Sequence, residues 1–213
     1  MSAPLVKDSG GSDFQLPEPG TYPAVCTWII GMGPQITSYG PREKLKFRFE
    51  LPTERVTWEA EGVEQEGPMV MWATYTSSLS DKSFLRRDLE AWRGRPFTSE
   101  ELASFDLDTV LGAPCLVSIT HRKADNGKTY ADISSISRLM KGMEPPKPEG
   151  DLIGFDPRNF EQKEFDALPE WLQDKIQLGL SEIKAQEELA EKGPPGGPRA
   201  DQDPGFADDD IPF

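Results

Sequence analysis

The segment Arg42–Leu51 alternates charged and apolar residues along its whole length. In a β-strand, successive side chains point to opposite faces of the sheet. One face of this segment would carry Leu45, Phe47, Phe49 and Leu51. The other face would carry Arg42, Lys44, Lys46 and Arg48. The segment therefore predicts a strand whose apolar residues point into a core and whose cations point outward.

Four further segments have the β-branched and aromatic composition of strands. They are Tyr22–Ile30, Met69–Thr76, Pro114–His121 and Thr129–Ile136. The polar stretch Thr53–Gly67 could form a hairpin of its own before the third strand. Residues 124–127 (ADNG), between the last two strands, have strong turn chemistry.

Helix signals lie between the third and fourth strands. A helix is predicted over about Asp81–Trp92, with Ser80 as its N-cap, Phe84 in a hydrophobic staple and Gly94 at its end. A capping box at residues 98 and 101 predicts a second, short helix. The resulting order is that of the OB-fold, a five-stranded Greek-key barrel with a helix between strands 3 and 4. We therefore expect a mainly β protein with an OB-fold over residues 20–142.

The composition changes on both sides of this region. Residues 1–19 are rich in Ser, Gly and Pro and are predicted to form a flexible arm. Residues 143–192 form an acidic, Pro-rich extension with a C-terminal helix that begins near Leu168–Trp171. One side of that helix would carry Leu168, Leu172, Ile176, Leu180 and Ile183. Residues 193–205 are predicted to be a disordered Gly/Pro linker, and residues 206–213 an acidic tail.

The acidic net charge of −14 is unevenly distributed. Residues 1–143 carry 16 Lys and Arg against 19 Asp and Glu, whereas residues 144–213 carry 7 against 18. A strongly acidic chain would ordinarily disfavour a nucleic-acid partner. Because the acid is concentrated in the C-terminal third, the total does not exclude such a partner for the first two thirds.

The cysteines and the N-terminal sequence predict a cytoplasmic location. Cys26 and Cys115 lie in apolar, strand-like runs, which predicts buried free thiols and agrees with a reducing cytosol. The sequence has neither the apolar segment of a signal peptide nor a run of about 18 apolar residues that could span a membrane. We expect a cytoplasmic protein.

Catalytic signals are weak. His121 is the single histidine, with no cysteine close to it in sequence, and the Gly31–Gly33 region lacks the residues of a phosphate-binding loop. The cluster Glu59, Glu61, Glu64 and Glu66 could hold magnesium, but a solvated hairpin explains it more simply. We expect no enzymatic activity, no metal and no cofactor.

The last six residues, Asp208, Asp209, Asp210, Ile211, Pro212 and Phe213, have the properties of a docking peptide. A tail that only confers solubility explains the aspartates, but it does not explain Ile211 and Phe213. Phe213 could bury its ring in a pocket while its α-carboxylate pairs with a cation at the rim. Pro212 would lower the ordering cost, and the aspartates would speed encounter with a basic partner.

The sequence DDDIPF is identical to the C-terminal tip that bacterial single-stranded DNA-binding proteins commonly carry, after an OB-fold and a Gly/Pro-rich linker. The segment Ser80–Thr98 (SDKSFLRRDLEAWRGRPFT) resembles bacteriophage-encoded members of that class. The resemblance implies a protein that coats and protects single-stranded DNA during replication and recombination. It also implies that the tail recruits host or phage replication and repair enzymes.

A DNA-binding surface of this kind needs cations for phosphates and aromatic faces for bases. The predicted cations are Lys44, Lys46 and Arg48 on the second strand, with Arg122, Lys123 and Lys128 around the hairpin between strands 4 and 5. The predicted aromatic residues are Trp58, Trp72, Tyr75 and Tyr130. Trp72 and Tyr75 would lie on opposite faces of a regular strand, so at most one of them can meet DNA. The arginines 86, 87, 93 and 95 could either bind phosphate or pair with nearby carboxylates.

Two other classes of function remain open from the sequence. The chain could be an adaptor that carries the tail but binds no DNA, or a phage recombination (annealing) protein or nuclease. A regulatory hypothesis is that the acidic C-terminal third folds back on the basic groove and competes with DNA.

Overall fold

A computed structural model describes the backbone of residues 15–60 and 62–191, and the side chains of residues 15–59 and 62–181. The predicted linker (193–205) and tail (206–213) lie outside the described residues, as do residues 1–14 of the predicted arm. None of the described helices combines the length and the apolar character that a membrane crossing requires.

Five antiparallel strands form one curled sheet in the order β3-β2-β1-β4-β5. The strands are β1 (Gly20–Thr37), β2 (Gly40–Ala60), β3 (Val63–Thr76), β4 (Pro114–Lys123) and β5 (Thr129–Ser137). β1 pairs with β4 along its first residues and with β2 along the rest, which turns the sheet into a partial barrel. Two register shifts in β1, at residues 26–28 and 31–33, help it to bend. The predicted mainly β class and OB-type order are confirmed.

Two helices connect β3 to β4, namely α1 (Phe84–Arg93) and α2 (Ser99–Ala103), followed by a 3₁₀ turn at Leu107–Val110. The predicted capping box of α2 is confirmed, and Gly94 ends α1 in the left-handed conformation at φ 71°. The predicted cap of α1 is wrong. Ser83 caps the helix by accepting a hydrogen bond from the amide of Arg86. The helix begins later than predicted because residues 80–83 form a turn, closed by a hydrogen bond from the amide of Ser83 to the carbonyl of Ser80.

The barrel interior is filled by the apolar face of β2, which confirms the alternation predicted for that strand. Phe47, Phe49 and Leu51 are at most 1% exposed and pack in one cluster with Leu89 and Trp92 of α1. Cys26 and Cys115 belong to the same cluster as buried free thiols, as predicted. Their burial raises the pKa of both thiols, so they stay protonated and inert.

Residues 149–181, called here the C-terminal segment, pack on the outside of the barrel. The segment contains the short strand β6 (Ile153–Phe155), a 3₁₀ turn at Pro157–Asn159, α3 (Gln162–Asp166) and the start of α4 (Glu170–Glu191). β6 pairs in parallel with β1 at residues 28–30. A second hydrophobic cluster, the outer core, contains Ile30, Met32, Phe155, Phe165, Leu168, Leu172 and Ile176.

The predicted apolar side of the C-terminal helix is confirmed over its first turns. Leu168, Leu172 and Ile176 are buried against β1, whereas Leu180 is 37% exposed and the side chain of Ile183 lies outside the described part. Gly179 lies so close to β1 that a Cβ would be 2.3 Å from the carbonyl oxygen of Pro34. α4 therefore rests directly on the backbone of β1 at this point.

Polar contacts also hold the C-terminal segment in place. The carboxylate of Glu50 is 1% exposed; it accepts hydrogen bonds from Arg48 at 2.8 Å and from the backbone amides of Glu149 and Gly150 at 2.9 and 3.4 Å. Trp28 Nε1 donates to the carbonyl of Asp151 at 3.1 Å. A buried charge with such partners is compensated, and removing one partner is costly.

We predict that the outer core is part of the cooperative fold. Leu172→Ala should lower the free energy of unfolding by about 2–5 kcal/mol, because Leu172 is fully buried. Leu178→Ala on the same helix is the control: that side chain is 58% exposed, and its removal should cost less than about 0.5 kcal/mol. Urea denaturation measures both. Equal effects of the two substitutions would contradict a shared cooperative unit.

Candidate nucleic-acid interface

The floor of the candidate interface is the outer face of β2 and β3. Lys44 pairs in register with Thr76, and Lys46 with Thr74. The ammonium groups donate to these threonine hydroxyls, at 2.8 Å from Lys44 and 3.5 Å from Lys46. These cross-strand contacts hold two cations on the outer face of the sheet, as the alternation of β2 predicts.

A groove of about 640 Å³ lies over the Lys44 end of this floor. The turn between β1 and β2 supplies Tyr39 to its lining, and the start of α1 supplies Phe84. These rings are 85% and 68% exposed, which is unusual for large apolar side chains. Arg42 and Lys82 line the same groove. The groove thus brings exposed rings and cations together beside the β1–β2 loop, which OB-folds use for ligands.

A second cavity of about 430 Å³ adjoins the first and reaches β5. Phe84 lines both cavities, and the guanidinium of Arg87 lies 4.8 Å from the centre of its ring. Asp132 of β5 also lines the second cavity and pairs with Arg122 at 2.8 Å. Arg122 in turn lies 5.5 Å from the ring of Tyr130, which is 41% exposed. The predicted residues Arg122 and Tyr130 are therefore connected to the groove through Asp132.

The predicted cations Lys123 and Lys128 are exposed on either side of the hairpin between β4 and β5. They extend the basic character of this end of the barrel. In OB-folds, the loop between strands 4 and 5 is one of the loops that can contact a nucleic acid.

Arg48, predicted to bind DNA, is instead engaged inside the protein. Its guanidinium pairs with Glu50 and stacks on Trp28, 5.0 Å from the ring centre. The side chain is 18% exposed. Because its charge is already neutralised beneath the C-terminal segment, Arg48 is not available to a phosphate.

Trp72 occupies the boundary between the covered and the open parts of the outer face. Its ring makes edge-to-face contacts with Trp28 and with Trp171 of α4, at 5.9 and 5.4 Å between ring centres. It also lines the second cavity. Lys46 Nζ lies 5.3 Å from the rings of both Trp72 and Trp171. Burial, together with the nearby charge of Lys175, lowers the pKa of Lys46.

The prediction that Tyr75 stacks on bases is wrong. Tyr75 is 7% exposed inside the barrel, where it packs edge-to-face on Phe47 and donates a hydrogen bond to Asp88 at 3.0 Å. Burial and the Asp88 carboxylate raise the pKa of Tyr75. The alternation of β3 sends Trp72 outward and Tyr75 inward, which confirms that the two lie on opposite faces.

Trp58 is 46% exposed, but it lies apart from the groove. It sits on the hairpin arm that β2 and β3 form beyond the register shift between Leu51 and Arg55. Its ring covers Gly67, where a Cβ would be 2.8 Å away. Glu59 and Glu64 face each other across the arm, so acidic charge surrounds Trp58. Within the described residues, no group of His, Cys, Asp or Glu is arranged to hold a metal ion.

The four arginines around α1 pair with carboxylates, which favours the second of the two alternatives for that cluster. Arg86 pairs with Glu90 and Asp81, and Arg87 with Asp88. Arg93 and Arg95 both pair with Glu101, which accepts two hydrogen bonds from Arg95 at 2.6 and 2.9 Å. Of these arginines, Arg87 also lines the second cavity.

Sequence reasoning missed Tyr39, Lys82 and Phe84 as groove residues. Phe84 was expected to be buried in the staple of a helix capped by Ser80, and the later start of the helix leaves it exposed. Tyr39 stands alone in a polar turn, where an exposed ring is a signal that could have been used.

These residues define a partial OB barrel with a groove of exposed cations and rings on the outer face of β2 and β3. Comparison of the chain with family models, with curated proteins and with solved structures found no match.

We predict a pH-dependent contribution of Glu101 to stability. Hydrogen bonds from Arg95 and from the Thr98 amide hold the pKa of Glu101 at about 2, below its ordinary value of 4.5. A lowered pKa stabilises the fold above the unfolded value, and this contribution is lost as the pH falls through the folded value. Glu101→Gln should therefore be less stable than the unchanged protein at pH 7, with a difference that disappears between pH 4.5 and about 2.

Urea midpoints across this pH range measure the effect. Glu100→Gln is the control, because Glu100 is exposed at the neighbouring position. A destabilisation by Glu101→Gln that did not change with pH would contradict an electrostatic origin.

Proposed function

We propose that this protein binds single-stranded DNA without sequence preference, as a phage-type coating protein. The observation that carries the proposal is the groove in which Tyr39 and Phe84 stand exposed beside Arg42, Lys44 and Lys82. Cations attract the phosphate backbone, and aromatic faces stack on any base, so this combination suits a strand of arbitrary sequence.

The charge distribution of the barrel supports a defined path for the strand. Cations line the groove and surround the β4–β5 hairpin, whereas the β2–β3 arm around Trp58 carries Glu59, Glu64 and Glu66. A polyanion is attracted to the first region and repelled by the second. The strand would therefore run from the β1–β2 turn across β2 and β3 towards Tyr130, and it would avoid the arm.

We further propose that Asp208–Phe213 is a docking peptide for replication and repair enzymes. The proposal rests on the sequence, because the tail lies outside the described residues. Its support is the identity of DDDIPF to the tip of bacterial single-stranded DNA-binding proteins, together with the apolar Ile211 and Phe213 beside three aspartates.

We predict that the groove cations make the binding of oligo-dT sensitive to salt. Each phosphate contact on a single strand contributes about −0.7 to the slope of log K against log salt. Arg42→Ala combined with Lys44→Ala should weaken binding at low salt and make the slope shallower by about 1.4. Fluorescence anisotropy with a labelled oligo-dT strand measures both quantities.

Lys163→Ala is the matched control, because Lys163 is an exposed cation on α3, outside the lining of the groove. The slope of log K against log salt for Lys163→Ala should equal that of the unchanged protein. Absence of salt-sensitive binding by the unchanged protein would contradict the proposed function and favour an adaptor. Cleavage of the strand in magnesium, or accelerated pairing of complementary strands, would instead indicate a nuclease or an annealing protein.

We predict that the tail acts separately from DNA binding. A peptide with the sequence of residues 206–213 should bind purified replication or repair enzymes of the bacterial host. The same peptide without Phe213 should bind at least tenfold more weakly, because burial of a Phe side chain contributes about 1.5–3 kcal/mol. Deleting Phe213 from the whole chain should leave oligo-dT affinity within about twofold, since it removes no groove residue. Equal binding of the two peptides would refute the docking role.

A further inference from the structure

The first turns of α4 lie beside the outer face of β2 and β3, where Trp171 contacts Lys46 and Trp72. Leu168, Leu172 and Ile176 of this region point into the outer core, and Trp171 and Lys175 stand beside them on the edge of the helix that faces β2. Trp171 is 41% exposed, and Lys175 is also exposed. The same helix that buries the outer core thus presents a ring and a cation towards the floor of the groove.

Two ammonium groups meet at the ring of Trp171. Lys46 Nζ lies 5.3 Å from the ring centre and Lys175 Nζ lies 5.5 Å from it. The salt bridges between described residues include neither lysine. Burial lowers the pKa of Lys46, and the nearby charge of Lys175 lowers it further. A pair of cations on one exposed ring favours an anion as its ligand.

We propose that α4 is part of the DNA-binding surface: a base stacks on Trp171 and the adjoining phosphate is bound between Lys46 and Lys175. This inference rests on the proposed function and extends the groove beyond Lys44 by one binding position. The phosphate offsets the repulsion between the two lysines. Trp171 is 41% exposed, so part of its ring stays accessible to a base beside its contacts with Trp72 and the two lysines.

The proposal assigns the C-terminal segment the opposite role from a competitor of DNA. A competitor has to leave the surface when DNA binds. The C-terminal segment buries Phe155, Phe165 and Leu172 and gives two backbone amides to Glu50. Its release would therefore expose an apolar cluster and remove two of the hydrogen-bond donors of the Glu50 carboxylate. It stays in place and contributes side chains.

The test is oligo-dT binding by Trp171→Ala and by Lys175→Ala in the full-length protein. Stacking on one ring contributes about 1–3 kcal/mol, so Trp171→Ala should bind about fivefold or more weakly. Lys175→Ala should make the salt slope shallower by about 0.7. Trp58→Ala is the control for the loss of an exposed tryptophan, because Trp58 is 46% exposed but lies on the acidic arm. This variant should bind oligo-dT with unchanged affinity. Lys163→Ala is the control for charge.

A Trp171→Phe variant separates stacking from folding, because it keeps an aromatic ring and should recover most of the lost affinity. In the unchanged protein, a strand carrying 5-bromouracil should crosslink under ultraviolet light to the peptide that contains Trp171. Unchanged affinity in Trp171→Ala and Lys175→Ala would overturn the inference while leaving the proposed function intact. Tighter binding by these variants would overturn it in favour of competition. If the unchanged protein bound no oligo-dT at all, the inference and the proposed function would fail together.

Discussion

The side chains of β2 alternate between the barrel interior and its outer face, and both sides of the molecule depend on this alternation. Phe47 and Phe49 fill the barrel from one side, while Lys46 and Arg48 meet the C-terminal segment on the other. A shift of one residue in register would exchange the two sets and place cations in the core. Burial of the phenylalanines therefore places the cations on the opposite, outer face of β2.

The outer face is divided at Trp72 into an open part and a part that the C-terminal segment covers around the buried carboxylate of Glu50. On one side of this division, Arg48 and Trp28 are used for internal packing and hydrogen bonding. On the other, Lys44 and its threonine partner remain open in the groove. The molecule thus uses one part of this outer face for internal packing and leaves another part open. Packing of the covered part also fixes the backbone of the open part, because both parts belong to β2 and β3.

Local sequence patterns predicted most of the barrel. The features that they did not predict depend on contacts between residues far apart in sequence. The alternation of β2, the capping box at Thr98 and the stop at Gly94 depend on neighbours in sequence and were predicted correctly. Arg48 pairs with Glu50, whose carboxylate accepts hydrogen bonds from the amides of Glu149 and Gly150, about one hundred residues away. No sequence pattern near Arg48 predicts this arrangement. Helix α1 begins at Phe84, after a turn between Ser80 and Ser83, and Phe84 is exposed at its first position.

The parallel pairing of β6 with β1 has a consequence for how the chain is made. Residues 20–137 leave the ribosome first and contain every strand of the barrel. Ile30 and Met32 remain without their cover until residue 176 has been synthesised, because their partners lie in β6, α3 and α4. During that interval the nascent barrel exposes an apolar patch to solvent, and such patches promote association between unfinished chains. The patch is covered only when β6, α3 and the first turns of α4 have been synthesised and have packed on β1.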